Sequence, residues 1–182
     1  TWLRVAAIPL VVAVFYLPNS WLTPFDKNLT ATIIFVFAAV TDWLDGFLAR
    51  RMKQESAFGQ FLDPVADKLI VAASLLVLLN MDRVQVWVAL IIIGREITIS
   101  ALREWMALLG AGKSVAVHMV GKLKTTAQLV AIPFLLLNDT LFGWLNCAQV
   151  GTWLIWIACF LTLWSMFYYM KKALPQLVDK VE

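Results

Sequence analysis

The sequence predicts an all-α membrane protein with six transmembrane helices, on three observations. Apolar residues make up 62% of the 182 positions, whereas soluble domains contain roughly 45–50%. These residues are grouped into six stretches, and a helix that spans a bilayer needs about 20 mostly apolar residues. The basic residues lie mainly at one side of the predicted membrane. This composition excludes a soluble enzyme, a disordered tail and a disulfide-stapled secreted module.

The apolar stretches cover residues 2–17, 29–49, 64–79, 84–109, 115–137 and 148–170. Breaks rich in proline, glycine and asparagine separate most of them. In lipid the backbone must satisfy its own hydrogen bonds, so each stretch is predicted as a helix. We expect residues 1–182 to form a single membrane domain.

The basic residues indicate the orientation. With the N-terminus inside, thirteen of the fifteen lysines and arginines lie on or toward the cytoplasmic side, and only Lys27 and Arg83 lie outside. This bias follows the positive-inside rule and predicts that both termini are cytoplasmic. It also places the net charge of +3 against membrane lipid and argues against a nucleic-acid partner.

Four aspartates stand at helical spacing around the link between the second and third stretches. Asp42 and Asp45 are i,i+3 neighbours, and Asp63 and Asp67 are i,i+4 neighbours. Because the link is short, we expect the two helices to be antiparallel neighbours whose four carboxylates converge at the cytoplasmic end. Clustered carboxylates repel one another and need counter-charge. Two hard divalent cations with oxygen ligands would supply it.

Small residues accompany the aspartates. Gly46, Ala49 and Gly59 would let a ligand approach the helix surface closely, and Arg50 could bind a phosphate bidentately. The alternative interpretation is a wet helix end at which the acids form salt bridges with neighbouring basic side chains. Four acids that share helix faces with glycines favour the metal site.

The pattern Asp-x-x-Asp-Gly-x-x-Ala-Arg, eight residues, then Gly-x-x-x-Asp-x-x-x-Asp resembles the signature of the CDP-alcohol phosphotransferase family. The resemblance implies that Asp42, Asp45, Asp63 and Asp67 bind two divalent metals, with Mg²⁺ expected and Mn²⁺ the alternative. It implies that Asp67 is the catalytic general base. Gly46, Ala49, Arg50 and Gly59 would line the nucleotide site for a CDP-linked lipid.

The fourth and fifth stretches carry basic residues that point to an anionic second substrate. Arg95 lies well within a predicted span, where a charge needs a partner. A phosphate-bearing acceptor would supply it, bound by Arg95, Arg103, Lys122 and Lys124. The alternative is that Arg95 and Arg103 pair with Glu96, Glu104 or the aspartates.

Over nearly the whole chain the sequence is most similar to the branch of the family that uses glycerol 3-phosphate. That resemblance implies transfer of a phosphatidyl group from CDP-diacylglycerol to glycerol 3-phosphate, giving phosphatidylglycerophosphate and CMP. It also implies a homodimer in the bacterial inner membrane, with the active site facing the cytoplasm. Family members usually carry an Asn-containing segment just before the position of Thr1, so we expect preceding residues in the natural chain.

Other interpretations remain open. Another branch of the family would use a different acceptor, such as inositol phosphate, serine or a lipid alcohol. An intramembrane prenyltransferase also gathers aspartates around magnesium and diphosphate, but its aspartate spacing differs. A divalent-cation transporter would place its acids near the bilayer midplane, whereas these cluster toward one end.

Overall fold

The computed structural model describes the backbone of residues 2–52, 57–108, 119–141 and 143–181. Side chains are described for residues 3–45, 62–106, 108, 123–141 and 143–171. Across these ranges the chain forms six helices and one short hairpin. The elements are α1 (Trp2–Tyr16), α2 (Pro24–Met52), α3 (Ala57–Asn80), α4 (Val86–Leu108), α5 (Met119–Leu137), β1 (Thr140–Leu141), β2 (Leu145–Asn146) and α6 (Cys147–Val181).

The helices coincide with the six predicted stretches, but two of them begin earlier than predicted. The second begins at Pro24 because the Thr23 hydroxyl accepts a bond from the Asp26 amide, while the Asp26 carboxylate accepts one from the Thr23 amide. This is a capping box with proline at the first helical position. The third begins at Ala57, so Pro64 lies inside α3 and does not start it.

Small deviations from all-α structure occur where α5 ends. Asn138 has φ of 49°, the left-handed conformation that commonly terminates helices. The antiparallel strands β1 and β2 then pair Thr140 with Asn146 and Leu141 with Leu145. A two-residue ladder leaves no sequence periodicity, so the sequence predicts only a turn here.

The helices pack into one bundle with a shared apolar core. Its largest fully buried side chains include Phe35, Leu75, Ile92, Ile132 and Leu136, contributed by α2, α3, α4 and α5. The helix α5 packs along α6, and α4 also packs against α6. The helix α1 packs against both α2 and α3, and whether α2 and α3 also pack directly as antiparallel neighbours stays a prediction.

One end of the bundle is tied together by Arg83 in the link between α3 and α4. Its Nη1 donates to the carbonyl oxygens of Leu135 and Leu136 at the end of α5, at 3.1 and 2.7 Å. Its Nη2 donates to Oδ1 of Asn28 in α2 at 3.0 Å. Burial lowers the pKa of this guanidinium, because the charged form loses hydration.

Within the described residues, two helices are long and apolar enough to cross a membrane, over Pro24–Asp45 and Cys147–Lys171. Shorter apolar segments occupy Leu3–Tyr16 and Leu123–Leu137. The bundle also exposes many large apolar side chains, among them Leu90 at 69% and Phe167 at 72% exposure. Extensive exposed apolar surface of this kind marks an interaction surface and suits contact with lipid.

Candidate active site

Three of the predicted aspartates meet around one buried guanidinium at the end of the bundle opposite Arg83. Arg4, in the first turn of α1, is only 2% exposed. Its Nη1 lies 2.8 Å from Oδ1 of Asp42 on α2, and its Nη2 lies 2.7 Å from Oδ1 of Asp63 on α3. Its Nη1 also donates to Oδ1 of Asp67, one turn after Asp63. Charge-assisted bonds therefore connect α1, α2 and α3 at one point.

The remaining predicted donor-site residues lie near the same end. Asp45 is exposed on α2, close enough to Asp42 for the two charges to interact. Gly46, Ala49 and Arg50 belong to the last part of α2, and Gly59 belongs to the first turn of α3. The surroundings of these four lie outside the described residues.

The aspartates supply the donor chemistry that hard divalent cations prefer, because their free atoms are all carboxylate oxygens. In the described part of the chain, however, no group of three or more acidic, histidine or cysteine side chains is arranged to hold a metal ion. Asp42, Asp63 and Asp67 are instead gathered on Arg4, whose buried Nε has no hydrogen-bond partner. The carboxylate oxygens are therefore ligands of the kind that divalent cations prefer. In this structure they are arranged around the guanidinium of Arg4.

A cavity of about 120 Å³ adjoins this cluster. Arg4, Asp42 and Asp67 form its charged part, and the rest of its lining comes from Phe35, Ala38, Ala39, Ile70, Val71, Thr125 and Leu129. Sites for drug-sized ligands usually measure roughly 300–1,000 Å³, so this space can take a small polar group or one part of a larger substrate.

A second set of buried charges lies on α4 and α5. Glu96 accepts a hydrogen bond from Nζ of Lys124, which is 1% exposed, and lies 3.4 Å from Nη1 of Arg95. Nη2 of Arg95 lies 3.2 Å from Oγ of Ser165 on α6, and its guanidinium lies 5.7 Å from the ring centre of Tyr169. Each buried cation therefore has a partner within the bundle.

The two sets of charges are near each other. Lys68, directly after Asp67, is close enough to Glu96 for their charges to interact. Arg103 is exposed on α4 and acts electrostatically on both Arg95 and Lys124. Lys122 belongs to the first turn of α5, and its side chain lies outside the described residues. The predicted acceptor residues Arg95, Arg103 and Lys124 thus lie in one region of the structure.

Sequence reasoning missed the central position of Arg4. It is the only charged residue in the first apolar stretch, and an isolated charge in a span is a functional signal by default. The sequence suggests Glu96 only as an alternative partner for Arg95, whereas in the structure it also binds Lys124. Nothing in the pattern of α6 distinguished Ser165 or Tyr169 from other helix residues.

The sequence model of one family, described as CDP-alcohol phosphatidyltransferase, matches residues 1–164. The chain is a member of this family. The resemblance predicted from the aspartate pattern is therefore confirmed. The aspartate pattern on which the prediction depends includes Asp42, Asp63 and Asp67, the three residues that bind Arg4 in this structure.

The chain is similar to two curated relatives over nearly its whole length. One is from Escherichia coli (strain K12) and one from Shigella flexneri, and both are named CDP-diacylglycerol–glycerol-3-phosphate 3-phosphatidyltransferase. Each is 51% identical over 183 residues, covering 99% of this chain and 95% of the relative. Similarity to this branch of the CDP-alcohol phosphatidyltransferases therefore extends through both charged clusters.

Proposed function

We propose that this protein transfers the phosphatidyl group of CDP-diacylglycerol to glycerol 3-phosphate, producing phosphatidylglycerophosphate and CMP. The observation that carries the proposal is 51% identity over 99% of the chain to relatives named for that reaction. The gathered carboxylates of Asp42, Asp63 and Asp67 support it, because they would hold divalent cations, which would supply positive charge to a diphosphate donor.

The four aspartates are proposed to hold two divalent cations, Mg²⁺ or alternatively Mn²⁺. When bound, these ions supply positive charge to the diphosphate and to the departing CMP. Asp42 and Asp45 would contribute from α2, and Asp63 and Asp67 from α3. The nucleotide is proposed to lie against Gly46, Ala49 and Gly59, whose small side chains allow close approach, with Arg50 binding a phosphate.

Asp67 is proposed as the general base. Its side chain is 49% exposed and lines the cavity, so an acceptor hydroxyl can reach it. The hydroxyl proton passes to the carboxylate while the oxygen bonds to the phosphorus that carries diacylglycerol. The bond from that phosphorus to the CMP oxygen breaks, and CMP leaves with the electron pair.

The acceptor phosphate is proposed to bind Arg95, Arg103, Lys122 and Lys124. Glu96 already partners Arg95 and Lys124, so the described set of Arg95, Arg103, Lys124 and Glu96 has a formal charge of +2. A dianionic phosphate matches this excess charge. Buried cations that gain such a partner recover part of their lost hydration energy.

The protein is proposed to act within the inner membrane of a bacterium, with residues 1–182 forming one six-span domain. Exposed apolar side chains on the helices support burial in lipid. Both termini and the aspartates would then face the cytoplasm, where both soluble molecules of the reaction, glycerol 3-phosphate and CMP, are handled. The homodimer implied by the family resemblance stays a prediction.

An acceptor screen tests the proposal directly. Purified protein in lipid-containing micelles is given CDP-diacylglycerol and one acceptor at a time: glycerol 3-phosphate, serine, inositol phosphate or plain glycerol. We expect CMP release to be fastest with glycerol 3-phosphate, to stop when EDTA removes divalent ions, and to return with added Mg²⁺. Faster release with another acceptor would contradict the proposed substrate, and unchanged release in EDTA would contradict the metals.

A further inference from the structure

Arg4 occupies the point on which the proposed metal ligands converge. The three carboxylate oxygens that it binds belong to Asp42, Asp63 and Asp67. The side chain is almost completely buried, and its Nε is buried without a hydrogen-bond partner. Arg4 is therefore anchored only through the terminal nitrogens that face the aspartates.

Charge counting shows that Arg4 does not neutralise this cluster. Three carboxylates and one guanidinium leave a formal charge of −2 on the four side chains. Like charges held this close repel unless cations lie between them. Arg4 thus holds the cluster together but leaves it with the net negative charge that a doubly charged cation would balance.

From these contacts we infer that Arg4 and the divalent cations are alternative occupants of the aspartate cluster. This inference rests on the proposed function, since it concerns the same carboxylates. The oxygens that accept bonds from Arg4 at 2.7–2.8 Å are the ones that a cation would coordinate. A guanidinium at that distance repels the incoming ion, so Arg4 has to withdraw before the ion can bind.

The geometry provides both a reason for the exchange and a place for the displaced side chain. Without metal, Arg4 keeps α1, α2 and α3 together and prevents the aspartates from repelling one another. The guanidinium already lines the adjoining cavity of about 120 Å³, into which it can swing. Arg4 is accordingly a positioning residue that holds the cluster ready for metal, and metal loading moves it.

Metal binding, measured apart from activity, tests the exchange. Binding of Mn²⁺ to the detergent-solubilised protein is followed by electron paramagnetic resonance in wild type, Arg4→Gln, Arg4→Lys and Arg103→Gln. We expect Arg4→Gln to bind Mn²⁺ roughly tenfold more tightly or better, because its competitor is gone. The Mn²⁺ affinity of Arg4→Lys should lie between those of Arg4→Gln and wild type, because lysine has one terminal nitrogen and cannot replace both Nη1 and Nη2 of arginine. Arg103→Gln removes the same charge from the same end of the bundle and should shift the affinity much less.

Arginine modification of the wild-type protein gives a second readout that does not depend on a variant folding. Phenylglyoxal adducts are located by mass spectrometry with and without Mg²⁺. We expect Arg4 to be protected without Mg²⁺ and to react several-fold faster with it. Exposed Arg103 should react in both conditions, and Arg83, which donates to three acceptor oxygens, in neither.

The outcomes separate this inference from the proposed function. If wild type binds Mn²⁺ but Arg4→Gln binds it no more tightly, or if Mg²⁺ leaves Arg4 protected, the exchange is overturned while the metal site stands. If neither wild type nor Arg4→Gln binds Mn²⁺, the proposed metal site fails and the exchange fails with it.

Discussion

Three of the four buried basic side chains in the described residues belong to mixed groups that contain carboxylates, whereas the fourth, Lys27, donates to Oδ1 of Asn19. Arg4 lies among three aspartates, and Glu96 lies between Arg95 and Lys124. A lone buried charge would lose hydration without compensation, whereas a paired one recovers part of that energy. Replacing one charged residue of such a group therefore leaves its partners buried without an opposite charge, and they then bear the full cost of lost hydration.

Replacing Asp67, one of the aspartates around Arg4, tests how catalysis depends on a single residue of that group. Asp67→Asn keeps the shape of the side chain and removes its basicity, so kcat should fall by about 10²–10⁴-fold while the affinity for CDP-diacylglycerol changes far less. Steady-state kinetics and a separate donor-binding measurement check this. Asp82→Asn is the control, since Asp82 is exposed at the other end with φ of 55°, a conformation that asparagine tolerates. An Asp67→Asn protein that binds donor poorly but turns over normally at saturation would contradict the general-base assignment.

Glu96 tests the stability of the second group. Glu96→Gln leaves Lys124 and Arg95 buried without their carboxylate, so the free energy of unfolding should drop by about 3–5 kcal/mol. Thermal and denaturant unfolding in detergent measure the change. Glu104→Gln, an exposed change on the same helix, should stay within about 0.5 kcal/mol of wild type. Adding Lys124→Met to Glu96→Gln should restore part of the lost stability, because it removes the unpaired buried charge. If Glu96→Gln and Glu104→Gln were equally stable, the argument would be contradicted.

At the scale of elements, the packing of α5 on α6 depends on a close approach at one glycine. A Cβ atom built on Gly151 would lie 2.7 Å from Cγ of Leu135 and 3.0 Å from its backbone nitrogen. Neither atom is the free end of a flexible side chain, so the helices themselves would have to move apart. Small residues at helix interfaces serve this purpose in membrane proteins.

Gly151→Ala should therefore destabilise the protein by about 1–3 kcal/mol, the usual effect of overpacking. Gly94→Ala is the matched control, because no atom lies within 4 Å of a Cβ built there in the middle of α4. That change should instead stabilise the protein by about 0.5–1 kcal/mol, since alanine favours helix more than glycine does. Unfolding measurements that give the two variants the same sign would show that α5 and α6 do not approach this closely.

At the scale of the whole molecule, the number and approximate position of the helices could be predicted because long apolar stretches leave the backbone few alternatives. The early start of α2 was also encoded, in the Thr23 and Asp26 capping pair, but hydropathy alone does not show it. The placement of α1 against both α2 and α3 could not be predicted, since periodicity gives each helix a face but not a neighbour.

The candidate site likewise has a part that the sequence predicts, the aspartates, and a part that it does not, the position of Arg4. The motif indicated which aspartates belong together, because helical spacing is local information. Arg4 reaches them from 38 residues away or more along the chain, and only the packing of three helices brings it there. Its isolation in an apolar stretch signalled a function without showing which one.

Orientation in the membrane is the remaining property of the whole molecule, and it can be measured on cysteine variants in intact cells. The native cysteines, Cys147 and Cys159, are both buried, so their background labelling should be low. Ser20 and Asp139 are exposed at the end of the bundle that holds Arg83, and Glu104 is exposed near the end that holds Arg4. With both termini cytoplasmic, a membrane-impermeant maleimide should label Ser20→Cys and Asp139→Cys directly, but Glu104→Cys only after the cells are permeabilised. The reversed pattern would place the aspartates outside the cell, and direct labelling of all three variants would mean that the bundle does not span the membrane.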